Sequence, residues 1–348
     1  MKIIVATGGT GGHIFPALET AACLAKRGHE VMVAGALGPS EEKVKAQGFA
    51  TLPIQAKGLT NRSLLGLWKF STLMCAAVAQ ALQNLKQTHP DKVIGFGGYG
   101  SFAFVLAARL LNIPVMIHEQ NVVPGKANRL SANLVAKVAI SFPKTKNYLE
   151  PKKVVFTGCP CHHHRPLDSR ESLMKKFSLA SDRPMILLLG GSQGSQKLNE
   201  VFFAMVSSWQ QPPIQAIHMT GAKDYWAYAA KYRRFSLPVK VFEFIHPIEE
   251  AYAISDLVIA RAGAATVSEL GFFAIPSILV PYPLAGGHQK YNAQVLADAG
   301  LAQIIEQKDL TSQSLKDTVR HLLTSGQQHQ PIFNNDPAEE LALAVENL

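Results

Sequence analysis

The chain is poor in charge and in cysteine. Only 17% of its 348 residues are Asp, Glu, Lys or Arg, and 4 are Cys. Four thiols in a chain of this length give no disulfide framework, so the fold must rest on buried apolar surface. No apolar run reaches about 18 residues free of charge or proline, the length that spans a bilayer. The nearest, FAFVLAARLLNIPVMI, is broken by Arg109, Asn112 and Pro114, which predicts no membrane span. No leader of charged, apolar and small residues opens the chain, and a strand-like KIIVATGG stands in its place, as expected of a cytoplasmic protein. The absence of Gly-Lys-Ser/Thr excludes a P-loop, and without an Asp-x-Asp pair nothing suggests a carboxylate-held Mg²⁺ at a diphosphate. Acidic residues are scarce in one half only. Up to Thr157 there are 18 Lys/Arg against 7 Asp/Glu, a net of +11; from Gly158 onward there are 16 against 18, a net of −2. Anionic partners are therefore expected at the first half: phosphorylated ligands, an anionic membrane surface or nucleic acid.

What is present is an alternation. Short Val- and Ile-rich runs (KIIVATGG, EVMVAG, KVIGFGG, VMIHEQ, KVAISF, VVFTG) alternate with helical stretches at 15–28, 40–47, 63–88, 101–111 and 125–134. PMILLLGG, IQAIHMTG, VKVFEFI, DLVIAR, PSILVPY and AQIIE repeat the plan in the second half. Alternation of this kind predicts βαβ units and doubly wound parallel sheets, an α/β fold. A chain of this length suits two domains of roughly 150 to 200 residues. The boundary is expected within residues 157–171, TGCPCHHHRPLDSRE, where proline and polar residues interrupt the periodicity. This predicts an N-terminal domain over 1–157 and a C-terminal domain over 158–335, followed by a short acidic amphipathic helix, 336–348.

Two Gly-rich strand-to-helix turns open the halves: GGTGGH at residues 8–13 and GGSQGS at 190–195. Such turns bring the backbone close to an anion and aim N–H groups and a helix dipole at it. The dinucleotide pattern counted from Gly9 requires Gly or Ala where Ile14 stands, so that motif fails. A second turn, GFGGYGS at 95–101, and the run HEQN at 118–121 close two further strands of the first half. At strand ends, polar residues face the crevice where open α/β sheets bind ligands. In RAGAATVSELGFFAIP, small residues let a diphosphate approach a helix predicted to open near Thr266. Glu269, in its first turn, suits two ribose hydroxyls, although Ser268 and Glu269 are equally the residue types that cap a helix start. The cluster CPCHHH, with Cys159, Cys161, His162, His163 and His164, offers metal-ligand chemistry, but its spacing matches no usual zinc site and no second cysteine pair exists. No metal is expected.

Taken in order, GGTGGHIFPA, GFGGYGS, HEQNVVPGKANRL, GGSQGSQKLN, RAGAATVSE and HQKYNA resemble the MurG family of bacterial glycosyltransferases over essentially the whole chain. The resemblance implies the GT-B architecture: two Rossmann-like doubly wound domains facing a central cleft, with the last helix returning to the N-terminal domain. It also implies a reaction, the inverting transfer of N-acetylglucosamine from UDP-N-acetylglucosamine to the undecaprenyl-diphosphate-linked muramyl peptide. That step belongs to peptidoglycan synthesis, on which cell shape and division depend. No cofactor is implied.

By position, the backbone of Ile245 would meet the uracil, with Phe244 beside it. Ser192 and the helix start at Ala264, Ala265 and Thr266, continued by Val267 and Ser268, would hold the diphosphate. Glu269 would take the ribose and Gln289 the sugar. Thr10, Gly11, Gly12 and Asn121 would close on the donor, while His13, Tyr99 and Glu119 would line the acceptor side. One departure stands out. Where the family has GNPVR this chain has GCPCH, so His162 takes the place of a donor-contacting Arg and loses a permanently charged, bidentate partner; Arg165 is the alternative cation. His13 is the first candidate to accept the acceptor's proton and Glu119 the second. The basic first half, with Trp68, Phe70, Arg62 and Lys69 in one stretch, suits contact with an anionic inner-membrane surface and a peripheral place on its cytoplasmic face. Nucleic acid is not an expected partner, because no binding motif accompanies the charge. The alternative enzyme is a UDP-N-acetylglucosamine 2-epimerase, which shares the two-domain plan but needs no lipid acceptor.

Overall fold

The computed structural model describes the whole chain except residues 9–10, 57–62, 162, 192–193, 211, 235–237, 284–286 and 326–328, and the side chain of Leu64. Three expected site residues, Thr10, His162 and Ser192, lie outside the described residues. Two compact units emerge, Met1–Cys161 with Asn335–Leu348, and His162–Asn334.

The first unit runs β1 (Lys2–Gly8), α1 (Gly11–Lys26), β2 (Glu30–Ala36), α2 (Glu41–Ala46), β3 (Ala50–Pro53), α3 (Leu64–Thr88), β4 (Lys92–Gly95), α4 (Gly98–Leu110), β5 (Val115–Glu119), α5 (Lys126–Ala132), β6 (Lys137–Ile140) and β7 (Val154–Phe156). Its strands are all parallel, in the order β3-β2-β1-β4-β5-β6-β7. Because side chains alternate along a strand, Ile3 and Val5 enter the core on one face while Ile4 and Ala6 enter the core on the other. Helices cover both faces, as a fully parallel sheet requires.

Among the described residues one helix, Leu65–Thr88, is long and apolar enough to cross a membrane by length and composition, although no uninterrupted apolar run was expected there. Lys69 and Lys86 confine its charge-free run to residues 70–85, while the Leu, Ala, Met and Val around them keep the mean hydropathy high. Its Ala77, Ala81 and Leu85 are buried in the core of the first unit, and only 11% of its apolar window is covered.

The second unit runs α6 (Arg170–Lys176), β8 (Met185–Leu189), α7 (Gln196–Ser207), β9 (Gln215–Met219), α8 (Tyr225–Tyr232), β10 (Val239–Phe242), α9 (Ile248–Ala253), β11 (Leu257–Ala260), α10 (Ala264–Phe273), β12 (Ser277–Leu279), α11 (His288–Asp298), β13 (Ala302–Ile304) and α12 (Ser312–Thr324). Its sheet is again parallel, ordered β10-β9-β8-β11-β12-β13. The order reverses between β1 and β4 in one sheet and between β8 and β11 in the other. A reversal splays the following loops apart and leaves a crevice at the carboxyl ends of the strands.

The last helix, α13 (Pro337–Glu346), belongs to the first unit. Leu341, Ala342 and Val345 join the core beneath α1. Arg27 reaches Glu339 at 2.8 Å and Glu346 at 2.7 Å, and His29 Nε2 lies 2.7 Å from Glu346. Lys92 Nζ donates to the carbonyls of Val345 and Glu346, satisfying the helix end. Hydrogen bonds from Arg27 and His29 pull the Glu346 carboxyl from 4.5 down to about 2. A depressed carboxylate adds stability above its unfolded value and loses it as pH falls through the folded one. Glu346→Gln is therefore expected to lower the melting midpoint by roughly 2 °C at pH 7. Melting curves from pH 7 to pH 2 should show the difference between the two proteins closing below pH 4.

Candidate active site

In the first unit the end of β1, the start of α1 and the turns after β4 and β5 meet at the reversal point. The turns after β1 and β4 touch through bare backbone: a Cβ on Gly98 would sit 3.0 Å from the Gly8 Cα, and one on Gly8 would sit 3.3 Å from the Gly97 carbonyl oxygen. Gly97 and Gly98 also have φ of +94° and +79°, a region that residues with a Cβ rarely enter. His13, in the first turn of α1, lies over this contact. Its ring atoms are 3.2 Å from the Cβ position of Gly97 and 3.6 Å from that of Gly8. The glycines of GFGGYGS thus serve as the seat of an imidazole. His13 is partly exposed, and its Nδ1 lies 3.2 Å from Gln120 Oε1.

The HEQN run is built inward. His118, Glu119 and Gln120 are all buried. Both Glu119 oxygens are occupied: Oε1 accepts from the backbone N–H and the side-chain amide of Asn121 at 2.8 and 3.2 Å, and Oε2 accepts from the Gly125 N–H and Asn128 Nδ2 at 3.0 and 2.8 Å. The carboxylate ties residues 121–128 into one loop. Asn121 is thereby fixed in a partly exposed position, and Tyr99, in the first turn of α4, packs edge-on against Phe70 at 5.3 Å. Gly11 and Gly12 open α1, and a Cβ on Gly12 would meet nothing within 4 Å.

In the second unit α10 opens at Ala264, two residues earlier than expected, with Gly263 at its N-cap and no capping side-chain bond. Its first-turn N–H groups lack intrahelical acceptors, and the dipole there favours an anion. Ala264, Ala265 and Thr266 stand in that turn, and Val267 is fully buried beneath it. Glu269 is buried in the second turn, and its Oε2 accepts from the Tyr252 hydroxyl at 2.8 Å. Ser268 Oγ lies 3.0 Å from His163 Nε2. After β10, Phe244 is exposed and Ile245 buried. Gln289, in the first turn of α11, accepts the Tyr282 N–H at 2.9 Å.

Arg261, at the end of β11, was not singled out from sequence. It is 8% exposed, donates to Ser195 Oγ at 2.8 Å, the Val280 carbonyl at 3.1 Å and Gln307 Oε1 at 2.6 Å, and lies over the Tyr282 ring at 5.4 Å. Burial draws its pKa down, but a guanidinium keeps its charge. A buried cation with no carboxylate partner among the described residues therefore stands beside Ser195, at the end of the GGSQGS turn. The signal was available, because RAGAAT places a charged residue directly after a fully apolar strand.

The CPCHHH residues diverge. Cys159 is buried and Cys161 Sγ donates to its carbonyl at 3.1 Å; His163 stacks on Phe272 at 4.8 Å, and His164 lies 2.6 Å from Glu249. Among the described residues no group of three or more His, Cys, Asp or Glu is placed to hold a metal ion. Arg165 packs over Phe272 and Phe273 and reaches the Phe272 carbonyl at 3.4 Å. That is the C-terminal end of α10, about 13 Å along the helix from the turn expected to hold the diphosphate.

Comparison with known proteins defines the class first. Residues 3–140 match the glycosyltransferase family 28 N-terminal domain and residues 185–348 its C-terminal domain. The crystal structure of Acinetobacter baumannii MurG is 31% identical, with a TM-score of 0.76 over 100% of this chain and 99% of that one. Two Rossmann-like parallel sheets with these neighbours make the architecture GT-B. A UDP-N-acetylglucosamine 2-epimerase structure from Listeria monocytogenes, 13% identical with a TM-score of 0.70 over 99% of this chain and 95% of that one, shares the fold alone. A relative from Thermodesulfovibrio yellowstonii is 36% identical over 93% of this chain and 90% of its own length. Another, from Thermoanaerobacter sp. strain X514, is 34% identical over 100% of both. Both are named UDP-N-acetylglucosamine–N-acetylmuramyl-(pentapeptide) pyrophosphoryl-undecaprenol N-acetylglucosamine transferase. The chain belongs to glycosyltransferase family 28 and, within it, to the MurG group.

Gly98→Ala forces a Cβ both into a positive-φ position and against the β1 turn. It is expected to cost roughly 2 kcal/mol, read as a lower urea midpoint. Gly12→Ala, which meets nothing, is expected to leave that midpoint unchanged.

Proposed function

We propose that the chain catalyses inverting transfer of N-acetylglucosamine from its UDP donor to the muramyl-pentapeptide sugar of an undecaprenyl-diphosphate-linked acceptor, giving lipid II for peptidoglycan synthesis. The observation that carries this reading is full-length similarity to relatives named for this transfer. The epimerase alternative is supported by fold alone.

The C-terminal unit is the donor unit in this reading. Ile245 and Phe244 take the base, Glu269 the ribose diol, and Gln289 the sugar. The N-terminus of α10 at Ala264, Ala265 and Thr266, with Val267 and Ser268 behind it and Ser192 from the other turn, takes the diphosphate. His162 remains the positional counterpart of the family's Arg, and Arg261 supplies a fixed positive charge at the same reversal point. The N-terminal unit is the acceptor unit, with Thr10, Gly11, Gly12 and Asn121 contributing to closure on the donor and His13, Tyr99 and Glu119 to the acceptor side. In the step itself the acceptor oxygen bonds to the anomeric carbon as the bond from that carbon to the diphosphate oxygen breaks. UDP leaves with the electron pair, and the hydroxyl proton passes to His13. Helix N–H groups and Arg261 offset the charge growing on the leaving diphosphate. Glu119, with both oxygens engaged, contributes by holding the loop that carries Asn121.

An anionic inner-membrane surface on its cytoplasmic side is the proposed place of work. The exposed Leu65, Leu67 and Trp68 open α3 beside Lys69, a pairing of apolar and basic groups that suits an interface.

His13→Ala is expected to reduce turnover by about 100-fold or more with little change in donor affinity. Transfer of labelled N-acetylglucosamine to a lipid-shortened acceptor, with UDP binding measured separately, checks both. Full turnover in that variant removes His13 from the reaction. The same assay with EDTA is expected to run unchanged, since main-chain and guanidinium groups carry the leaving group. Loss of transfer in EDTA would return a metal to the mechanism.

A further inference from the structure

His13 stands at the end of a chain of polar groups whose donor and acceptor ends are fixed by the backbone around them. At the far end the Gly158 carbonyl can only accept, so His118 Nε2, 2.9 Å away, carries a proton. His118 is fully buried, and burial lowers its pKa to about 4, so the ring is neutral and its Nδ1 is a lone pair. One end of the Gln120 amide lies 3.2 Å from that Nδ1, 3.0 Å from the Phe96 carbonyl and 3.2 Å from the His118 carbonyl. Three acceptors surround this end, so it must be the NH₂ and the opposite end the oxygen. That oxygen, Oε1, faces His13 Nδ1 at 3.2 Å. An amide oxygen can only accept, so the proton of a neutral His13 sits on Nδ1.

From this sequence of donors and acceptors we infer that Gln120 is a positioning residue that sets the tautomer of His13, with the proton on Nδ1 and the lone pair on Nε2. The catalytic half of the inference rests on the base role proposed for His13; the tautomer does not. When Nε2 takes the acceptor's proton the ring becomes an imidazolium, and the bond from Nδ1–H to the Gln120 oxygen becomes charge-assisted and stronger. Without that oxygen the ring is free to place its proton on Nε2, where it blocks proton transfer. A neutral amide does this without adding charge, so the preference costs the site no extra anion near the acceptor diphosphate. The ionisable groups on the surrounding elements are Lys2 on β1, Lys92 on β4, His118 and Glu119 on β5, Tyr99 and Arg109 on α4, Lys126 and Arg129 on α5, and Glu19, Cys23 and Lys26 on α1 itself.

The test uses the full chain labelled with ¹⁵N-histidine. Two-bond ¹H–¹⁵N correlation distinguishes the two imidazole tautomers, and the signal missing from His13→Ala identifies His13. Expected in the unaltered protein is a protonated Nδ1 and an unprotonated Nε2. In Gln120→Met, close in shape but unable to accept, the ring is expected to shift toward the Nε2–H form. Its kcat should fall roughly 10- to 100-fold with donor KM within about twofold. A proton found on Nε2 in the unaltered protein would overturn the inference, and that spectrum needs no variant to fold. So would a Gln120→Met protein that retains both the Nδ1–H signal and full turnover. A His13→Ala protein with full turnover would instead sink the base assignment, leaving the tautomer to stand or fall by the spectrum.

Discussion

Everything at the N-terminal site depends on two backbone turns being allowed to touch. The loops after β1 and β4 come within a methyl group's width of each other at Gly8, Gly97 and Gly98, and this contact exists only because the parallel order reverses between those strands. Any side chain there would push the turns apart, and His13 would lose the surface on which its ring rests. The apolar layers beneath serve this contact. Ile3 and Val5 on one face, and Ile4 and Ala6 on the other, fix the height and direction at which β1 delivers its turn.

The two units solve related problems with different means. At the second reversal point stand a helix terminus and Arg261, a buried cation that among the described residues meets neutral oxygens and the Tyr282 ring. At the first, the strand end is filled with neutral or fully satisfied groups: His118 held uncharged by burial, Gln120, and a Glu119 whose oxygens both serve the loop. A positive site suits a group that gains negative charge as it leaves. The first surrounds its histidine with a neutral imidazole, an amide and a carboxylate whose oxygens are both engaged.

Much of this was legible in the sequence, for a reason. Buried parallel strands are continuous apolar runs, and a Gly-rich turn after such a run marks a strand end, so twelve of the strands could be read directly, while the order in which they pair could not. The strand β3, ATLP, carried no such run; it is a short edge strand, half exposed, and its pairing with β2 rather than its composition defines it. The start of α1 was placed late because glycines at its first positions hide a helix that tertiary packing imposes. Roles that depend on partners far along the chain were not readable. Gln120 looked like one polar residue among four, and only its neighbours Phe96 and His118 give its amide a direction. Arg165 looked available as a replacement cation, and only its packing on Phe272 and Phe273 places it at the C-terminal end of α10.

The return of α13 has a consequence for how the molecule is made. Leu341, Ala342 and Val345 belong to the core beneath α1, yet about 180 residues separate this helix from the last strand of that sheet. At ordinary rates of synthesis those residues take roughly 10 to 40 s to emerge. For that interval the first unit carries an uncovered apolar stripe on α1, along with Arg27 and His29 awaiting their carboxylates. The second unit can complete its own core on the ribosome before the first can. The earliest-made domain is thus the last to be finished, and nascent-chain chaperones have their longest claim on the half that also carries the basic charge.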